Sequence, residues 1–373
     1  MKSNKKILII SRFFPEDYKG GGESVIYNIW KNACKHYDVR LITGWVNDPK
    51  LLPTGTYAVD LRSKNRFIRY FKLYFAVKKY ANKIKPDLIH SNAIEVPKLK
   101  FPTIVTSHHL GHMLGKVKET PLNQIRTKIQ KVFLKKRYKQ FKKILAVSHS
   151  TKNDLIELGI NPKKIKVIYN GIETDKFKPQ NTKTKQEKQK FIILYLSRIS
   201  REKGQHIAIN AIKHLKQTLP NKQIQNIALY IVGFVSDKKY LNQLKRLSKD
   251  LPVKIISDAP NIIDYYNKCD LFIFPTMMTE GFGLVSAEAF CCKKPVIASD
   301  YPAIREVVKE NGILVPPGRS KPLANAIIKL YNDPELRKKF ATNGRKFVLK
   351  NFTWDIAFKK YKEVYDSILG GVR

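Results

Sequence analysis

Two acids, Glu280 and Glu288, stand eight residues apart in TEGFGLVSAE (279–288), with Gly281 and Gly283 between them. The segment follows an apolar run, DLFIFP, and leads into AFCCKKPVIAS. The run reads as a strand, TMMTEGFG as a loop and LVSAEAFCC as a helix. The glycines let backbone come close to a ligand. The amides at the helix start, about Gly283 to Val285, form an anion site. A carboxylate beside a bound anion is repelled by it, so it must meet something neutral attached to that anion, such as sugar hydroxyls. One acid on each side of a diphosphate suggests one sugar on each side, the shape of a nucleotide sugar. The plainer alternative makes Glu288 a solvated helix residue and Glu280 a loop charge.

A second loop has matching chemistry. SRISREKG (197–204) also follows a strand and opens a helix. Arg198 offers a planar fork to phosphate oxygens and Lys203 a point charge, so the pair suits a diphosphate. In so basic a chain, a solvated basic loop is the competing account. YKGGGE (18–23), after the first strand, places Gly21 and Gly22 in a turn adaptable to phosphate, or in a mobile surface turn.

These loops need a scaffold that carries them at strand ends. In the first half, KKILIIS, DVRLIT, DLIHSN, TIVTS, KKILAVS and KIKVIYNG are short apolar runs, as parallel strands require, with helices over about 23–37 and 151–158. The stretch 179–190, PQNTKTKQEKQK, holds no apolar residue and reads as a linker. Beyond it FIILYLSR, ALYIVG, VKII, DLFIFP, PVIAS and GILVP repeat the alternation. The expected architecture is α/β: two Rossmann-like, doubly wound domains over 1–178 and 191–353, facing across a cleft. An amphipathic helix from Trp354 to Leu369 closes the chain, packing back on the first domain through Ile356, Tyr361, Val364, Tyr365 and Ile368.

The 373 residues suit two domains, and 43% apolar content suits a core in each. No apolar run is long enough to span a membrane. The patch Ile7–Ile10 is too short for a signal peptide and reads as a buried strand. The four cysteines, Cys34, Cys269, Cys291 and Cys292, form no C-x-x-C pair, which argues against structural zinc and disulfides and fits a reducing cytoplasm. GHMLGKV (111–117) lacks the spacing and the hydroxyl residue of a phosphate-binding P-loop.

The formal net charge of +41 implies an acidic partner: nucleic acid, an anionic membrane or a phosphorylated substrate. The charge concentrates in 61–85 and 128–143. In the first stretch Phe67, Tyr70, Phe71, Tyr74, Val77, Ala81 and Ile84 share a helical face. Such a helix suits a membrane surface, or simply packs its apolar face on the sheet.

Taken together, SRISREKG, TEGFGLVSAE, IYNGIETDKFKP (168–179) and PVIASDYPAIREVVKENGILVPPG (295–318) resemble, in order and spacing, the retaining family-four glycosyltransferases of the GT-B fold. The resemblance covers nearly the whole chain and is stronger in the second half. It implies that Arg198 and Lys203 bind the donor diphosphate, that Glu288 bonds the ribose hydroxyls, that Glu280 contacts the transferred sugar, and that the amides of Phe282, Gly283, Leu284 and Val285 receive phosphate and sugar oxygens. It implies that the loop with Gly21 and Gly22 touches donor phosphate or acceptor. His108 matches the family's histidine near the transferred sugar. The family often has Asp next, where this chain has His109, so either histidine is a candidate. His90 is a weaker one, and Glu306 stands where the family often has an acid.

No D-x-D occurs, so leaving-group stabilisation is expected from Arg198, Lys203 and a helix N-terminus, with neither metal nor cofactor. The resemblance implies retention, and a front-face route needs no covalent nucleophile. The co-substrate is a UDP- or GDP-linked sugar. The acceptor is a glycan or lipid-linked molecule, met by a peripheral protein on the cytoplasmic face of an anionic membrane, in synthesis of cell-surface polysaccharide, lipopolysaccharide or glycolipid. Two rivals stand: a basic nucleic-acid-binding protein, for which no recognisable module is present, and an inactive glycosyltransferase-like partner subunit, against which the intact acids and bases speak.

Overall fold

The computed structural model describes residues 3–13, 21–44, 52–61, 63, 65–110, 121–180, 190–257 and 259–370. The chain forms two compact units, Met1–Gly171 with Trp354–Arg373, and Ile172–Thr353.

The first unit carries strands β1 (Lys6–Ile10), β2 (Asp38–Gly44), β3 (Thr56–Val59), β4 (Leu88–Ser91), β5 (Thr103–Ser107), β6 (Lys143–Ala146) and β7 (Ile165–Val167). They form one parallel sheet in the order β3-β2-β1-β4-β5-β6-β7. Its helices are α1 (Gly21–Ala33), α2 (Arg66–Ile84), α3 (Pro121–Lys139) and α4 (His149–Glu157). The second unit carries β8 (Phe191–Leu196), β9 (Ile227–Val232), β10 (Val253–Ile256), β11 (Leu271–Phe274), β12 (Val296–Ser299) and β13 (Ile313–Val315), parallel in the order β10-β9-β8-β11-β12-β13. Its helices run α5 (Gln205–Thr218), α6 (Asn221–Gln225), α7 (Lys238–Leu247), α8 (Ile262–Lys268), α9 (Leu284–Cys291), α10 (Pro302–Val308), α11 (Ser320–Asn332) and α12 (Pro334–Asn351); the last helix is α13 (Trp354–Leu369).

The apolar runs explain the sheets. β4, β5, β9, β11 and β12 are buried along their whole length, because helices cover both faces of a parallel sheet. In each sheet the strand order reverses direction once, between β1 and β4 and between β8 and β11. At such a switch point the connections leave to opposite faces, which opens a crevice beyond the strands' carboxyl ends. The doubly wound α/β architecture is as expected.

Several details differ. β3 was not anticipated: it is a four-residue edge strand with one buried side chain, too short for a visible alternation. α1 begins at Gly21, so Gly21 and Gly22 occupy its first turn rather than a loop; residues 18–20 lie outside the described residues, as does 111–117. The second unit begins at Ile172, ahead of the boundary at 178. Ile172 bridges Thr353 and its N–H bonds Phe352 O at 2.7 Å, while Phe177 is buried with its ring 5.8 Å from Tyr266. Of the polar stretch 179–190, residues 181–189 lie outside the described residues.

α13 belongs to the first unit. Tyr361, Val364 and Tyr365 are buried, Ile356 and Ile368 half-buried. Tyr37 donates to Asp366 at 2.6 Å, and the Tyr365 hydroxyl meets His90 Nδ1 at 2.6 Å.

α2 corrects the expected helical face. Leu73, Val77 and Ala81 enter the core, whereas Phe67 and Phe71 are exposed. Phe71 and Leu73 are two positions apart, about 200° around a helix, so they cannot share a face.

Candidate functional site

In the second unit, β8 ends at Leu196 and passes through Ser197 and Arg198 to a single 3-10 turn, Arg201–Lys203, before α5. Gly204 ends that turn with φ +76°, and a Cβ there would stand 2.5 Å from Pro275 O. Only glycine allows this backbone to lie so close to the loop that follows β11. The Met277 N–H bonds Glu202 O at 3.0 Å across the same contact. Two loops far apart in sequence are thereby laid side by side at the carboxyl ends of the two central strands.

Their juxtaposition joins two residues expected to serve different parts of a ligand. Lys203 Nζ lies 2.6 Å from Glu280 Oε1, with side chains 15% and 18% exposed. The Glu280 carboxylate also accepts from Thr276 Oγ1 at 3.4 Å. Arg198 pairs with Glu202 at 2.8 Å, while its buried Nε has no hydrogen-bond partner among the described residues. Gln205 Nε2 donates to Arg198 O at 2.8 Å and to Ser197 Oγ at 3.0 Å, fixing the loop. The two bases are therefore not a bare cationic pair: each is held by a carboxylate. An arriving anion would share or displace those partners.

The second half of the site is the start of α9. Gly283 caps it with φ +98°, a left-handed conformation that points the next amides outward from the helix end. Leu284 and Val285 supply the first helical N–H groups, which by position have no acceptor inside the helix. The Phe282 side chain is buried edge-on against Phe352 at 5.1 Å, so only its backbone is available to a ligand. Gly281 is buried.

Glu288 lies one turn further on. Its Oε2 accepts from the Tyr266 hydroxyl at 2.8 Å, and the same hydroxyl lies 3.2 Å from Val285 O. The residue as a whole is half-buried, with its carboxylate surrounded by protein. Burial pushes its pKa up to about 7, against the lowering effects of the Tyr266 bond and of Lys176, while Glu173 raises it. Tyr266 is fully buried, its ring 5.8 Å from Phe177 and 5.4 Å from Phe272. Sequence reasoning missed Tyr266. The signal was slight: an aromatic in NIIDYYNK, five residues before a strand.

The first unit gathers a second set at its switch point. Beyond β5, His108 bonds Asn92 Oδ1 through Nε2, and its ring packs on Gly22, where a Cβ would lie 3.5 Å away. Asn92 Nδ2 in turn donates to Gly22 O at 3.1 Å. Arg12, just after β1, is paired with Glu95. Burial and the Arg12 charge push the His108 pKa down to about 4, so the ring is neutral. His108, not His109, is thus the histidine joined to Gly22 and Asn92. Gly21 is exposed at the helix start. Arg12, Asn92 and Glu95 were not foreseen; each follows a strand, which is the signal that could have found them.

His90 is structural. It is fully buried, with Nδ1 on Tyr365 and Nε2 2.7 Å from Thr106 Oγ1. Glu306 is half-buried on α10. No cluster of three metal-ligating side chains occurs among the described residues.

The family models for "Glycosyl transferases group 1" and "Glycosyltransferase Family 4" match residues 176–347 and 19–176. An uncharacterized glycosyltransferase of Methanocaldococcus jannaschii is 28% identical over 62% of this chain and 60% of its own length. The capsular polysaccharide biosynthesis glycosyltransferase CapM of Staphylococcus aureus is 32% identical over 61% of this chain and 62% of its own. The chain therefore spans about 60% of the length of these curated relatives. Among solved structures, Anabaena HepE in complex with UDP and glucose superposes with TM-score 0.80 at 24% identity, over 98% of this chain and 100% of that one. Sucrose-phosphate synthase from Thermosynechococcus elongatus gives 0.84 at 22%, over 98% and 100%. At these identities the structures establish the fold.

Proposed function

The chain belongs to the group 1 glycosyltransferases of glycosyltransferase family 4, with the GT-B fold, and on that premise we propose that it transfers a sugar from a nucleotide-sugar donor with retention of anomeric configuration and without metal. The observation that carries this reading is the Lys203–Glu280 contact, set beside the α9 N-terminus and one helical turn from Glu288. Cationic groups and helix amides suit the two phosphates. Glu288 suits the ribose diol and Glu280 the transferred sugar. HepE, a structural relative, is described with UDP and glucose, which favours a UDP-linked donor.

The chemistry follows from the charges. As the glycosidic bond to the diphosphate breaks, negative charge grows on the leaving oxygen. The amides of Leu284 and Val285 are fixed by the helix and meet that charge without reorganisation, while Arg198 and Lys203 stabilise it by sharing or exchanging the carboxylates that hold them. The leaving diphosphate takes the acceptor hydroxyl's proton on the same face, which gives retention with no covalent nucleophile. Within the first unit, neutral His108 donates Nε2–H to Asn92 Oδ1, which leaves Nδ1 as an acceptor for a sugar hydroxyl, beside Gly22 at the start of α1.

For acceptor and place, we read a glycan or lipid-linked acceptor, taken at the cytoplasmic face of an anionic membrane, in cell-surface polysaccharide or glycolipid synthesis. Support comes from the name of the Staphylococcus aureus relative, from the net charge of +41 and from the acid-free helices α2 and α3. No described helix is long and apolar enough to cross a membrane.

The test is donor hydrolysis followed by proton NMR with a chelator present. An α-linked donor should release the α-anomer first, at a rate the chelator leaves unchanged. Release of the β-anomer, or dependence on added metal, would overturn the mechanism.

A further inference from the structure

The first unit exposes large apolar side chains on two neighbouring helices. On α2 they are Phe67, Ile68, Phe71 and Phe75; on α3 they are Ile129, Val132 and Phe133, all between 46% and 75% exposed. Among the described residues, the other exposed large apolar side chains, Ile156, Leu247, Met277 and Leu349, sit on separate elements. Scattered exposed residues are ordinary; a contiguous patch marks a surface that something covers.

Contacts make the patch one surface. Phe71 stacks on Phe75 at 6.4 Å, and Tyr70 meets Phe71 edge-on at 5.5 Å. Arg137 of α3 donates to the Tyr70 hydroxyl, with its guanidinium 5.4 Å from the Tyr70 ring and 5.1 Å from the Phe133 ring. That guanidinium clamps the two helices together, so the aromatic row of α2 continues into α3. The ridge is not a core face turned outward by chance. Each helix spends other residues on the core: Leu73, Val77 and Ala81 on α2, Leu134 and Tyr138 on α3.

Charge selects the occupant. Neither helix contains an acid, and Lys72, Lys78, Lys79, Lys83, Lys128, Lys136 and Lys139 are exposed around the ridge. Of these, Lys72 pairs with Asp60 at 3.7 Å. A second copy would oppose this face with the same positive charge, so self-association through it is disfavoured. Phe67, Phe71, Phe75 and Phe133 offer rings on which bases stack, but Ile68, Ile129 and Val132 share the ridge and offer none, a mixture that favours acyl chains over nucleic acid. Aromatic and aliphatic side chains bordered by long lysine stems match the boundary between anionic headgroups and acyl chains. We propose that the α2–α3 ridge is the face on which the protein enters an anionic bilayer, with the aromatic row inserted and the lysines at headgroup level. This deepens, and rests on, the membrane location proposed above.

The experiment compares wild type with Phe67→Ser/Phe71→Ser/Phe75→Ser by flotation on phosphatidylcholine vesicles with and without phosphatidylglycerol, at low and high salt. Wild type should bind only the anionic vesicles and keep part of its binding at high salt. The triple variant should lose at least about tenfold in partitioning, since three apolar rings no longer enter the lipid, with its melting temperature unchanged. In Phe71→Trp, brominated lipid should quench the added fluorescence. Equal binding by the triple variant, or no quenching, overturns the ridge and leaves the location standing. No binding by wild type overturns both. A dimer, or RNA binding, that the triple substitution abolishes overturns the lipid assignment in favour of that partner.

Discussion

Lys203 and Glu280 are 77 positions apart in the chain yet 2.6 Å apart in space, and the contact is made possible by Gly204 lying against Pro275 O. The pair holds the cation proposed to bind phosphate and the acid proposed to bind sugar in one place. Removing either partner should separate their functions. Lys203→Ala should lower turnover by about 10²–10³-fold, the scale expected for losing one preorganised charge partner of a leaving group. Glu280→Gln should leave nucleoside diphosphate affinity almost unchanged while weakening binding of the intact nucleotide sugar. Calorimetric titration of both ligands against both variants checks this.

Glu288 ties stability to pH. Its folded pKa is raised to about 7 from the usual 4.5, so between those values the folded state holds a proton that the unfolded state has lost. The slope of stability with pH is then negative: the contribution is fully present below about 4.5 and is lost as pH rises through 7. Glu288→Gln removes the effect. The melting-temperature difference between variant and wild type should be flat below pH 4.5 and shift in the variant's favour up to pH 7. Nucleotide affinity should move oppositely in wild type, strengthening as the carboxylate ionises to accept the ribose hydroxyls.

Tyr266 is coupled to that acid. Its hydroxyl lowers the Glu288 pKa. Tyr266→Phe should cost about 1 kcal/mol of stability, the scale of one buried hydrogen bond. It should also shift the pH profile of nucleotide affinity upward. A simple packing role would change stability and leave the pH profile in place, so the profile separates the two.

Two glycines should respond differently to alanine. Gly283 has φ +98° but open space, its nearest neighbour being Ile304 at 3.7 Å; Gly204 has φ +76° and would meet Pro275 O at 2.5 Å. Gly283→Ala should cost about 1–2 kcal/mol from conformation alone. Gly204→Ala should cost more, because backbone must move as well. Chemical denaturation of both variants measures the difference.

The sheets were legible because buried parallel strands are plain apolar runs. Only the edge strand Thr56–Val59 escaped, having one buried residue to show. The residues proposed for the donor stood out in the sequence because Arg198, Lys203 and Glu280 sit in glycine-marked loops after such runs, with Glu288 in the helix that follows the second. What joins them was not. The Lys203–Glu280 contact depends on a loop approach between distant segments, and the Tyr266–Glu288 bond depends on α8 packing beside α9. Whether the aromatic row of α2 packs inward or faces outward stayed open in the sequence, because a helical stripe does not say which of two apolar faces meets the sheet; Leu73 decides it by burial. His90 and His108 look alike in sequence, each at a strand end. Tyr365, 275 positions from His90, makes the first a core residue.

The most direct measurement is a thermal-shift series with UDP, GDP, ADP, CMP and their sugars, with a chelator present, on wild type and Glu288→Ala. The account predicts stabilisation by one nucleotide and its sugar, abolished in the variant. No stabilisation by any of them, or stabilisation that survives the loss of Glu288, would contradict a nucleotide-sugar site at the start of α9.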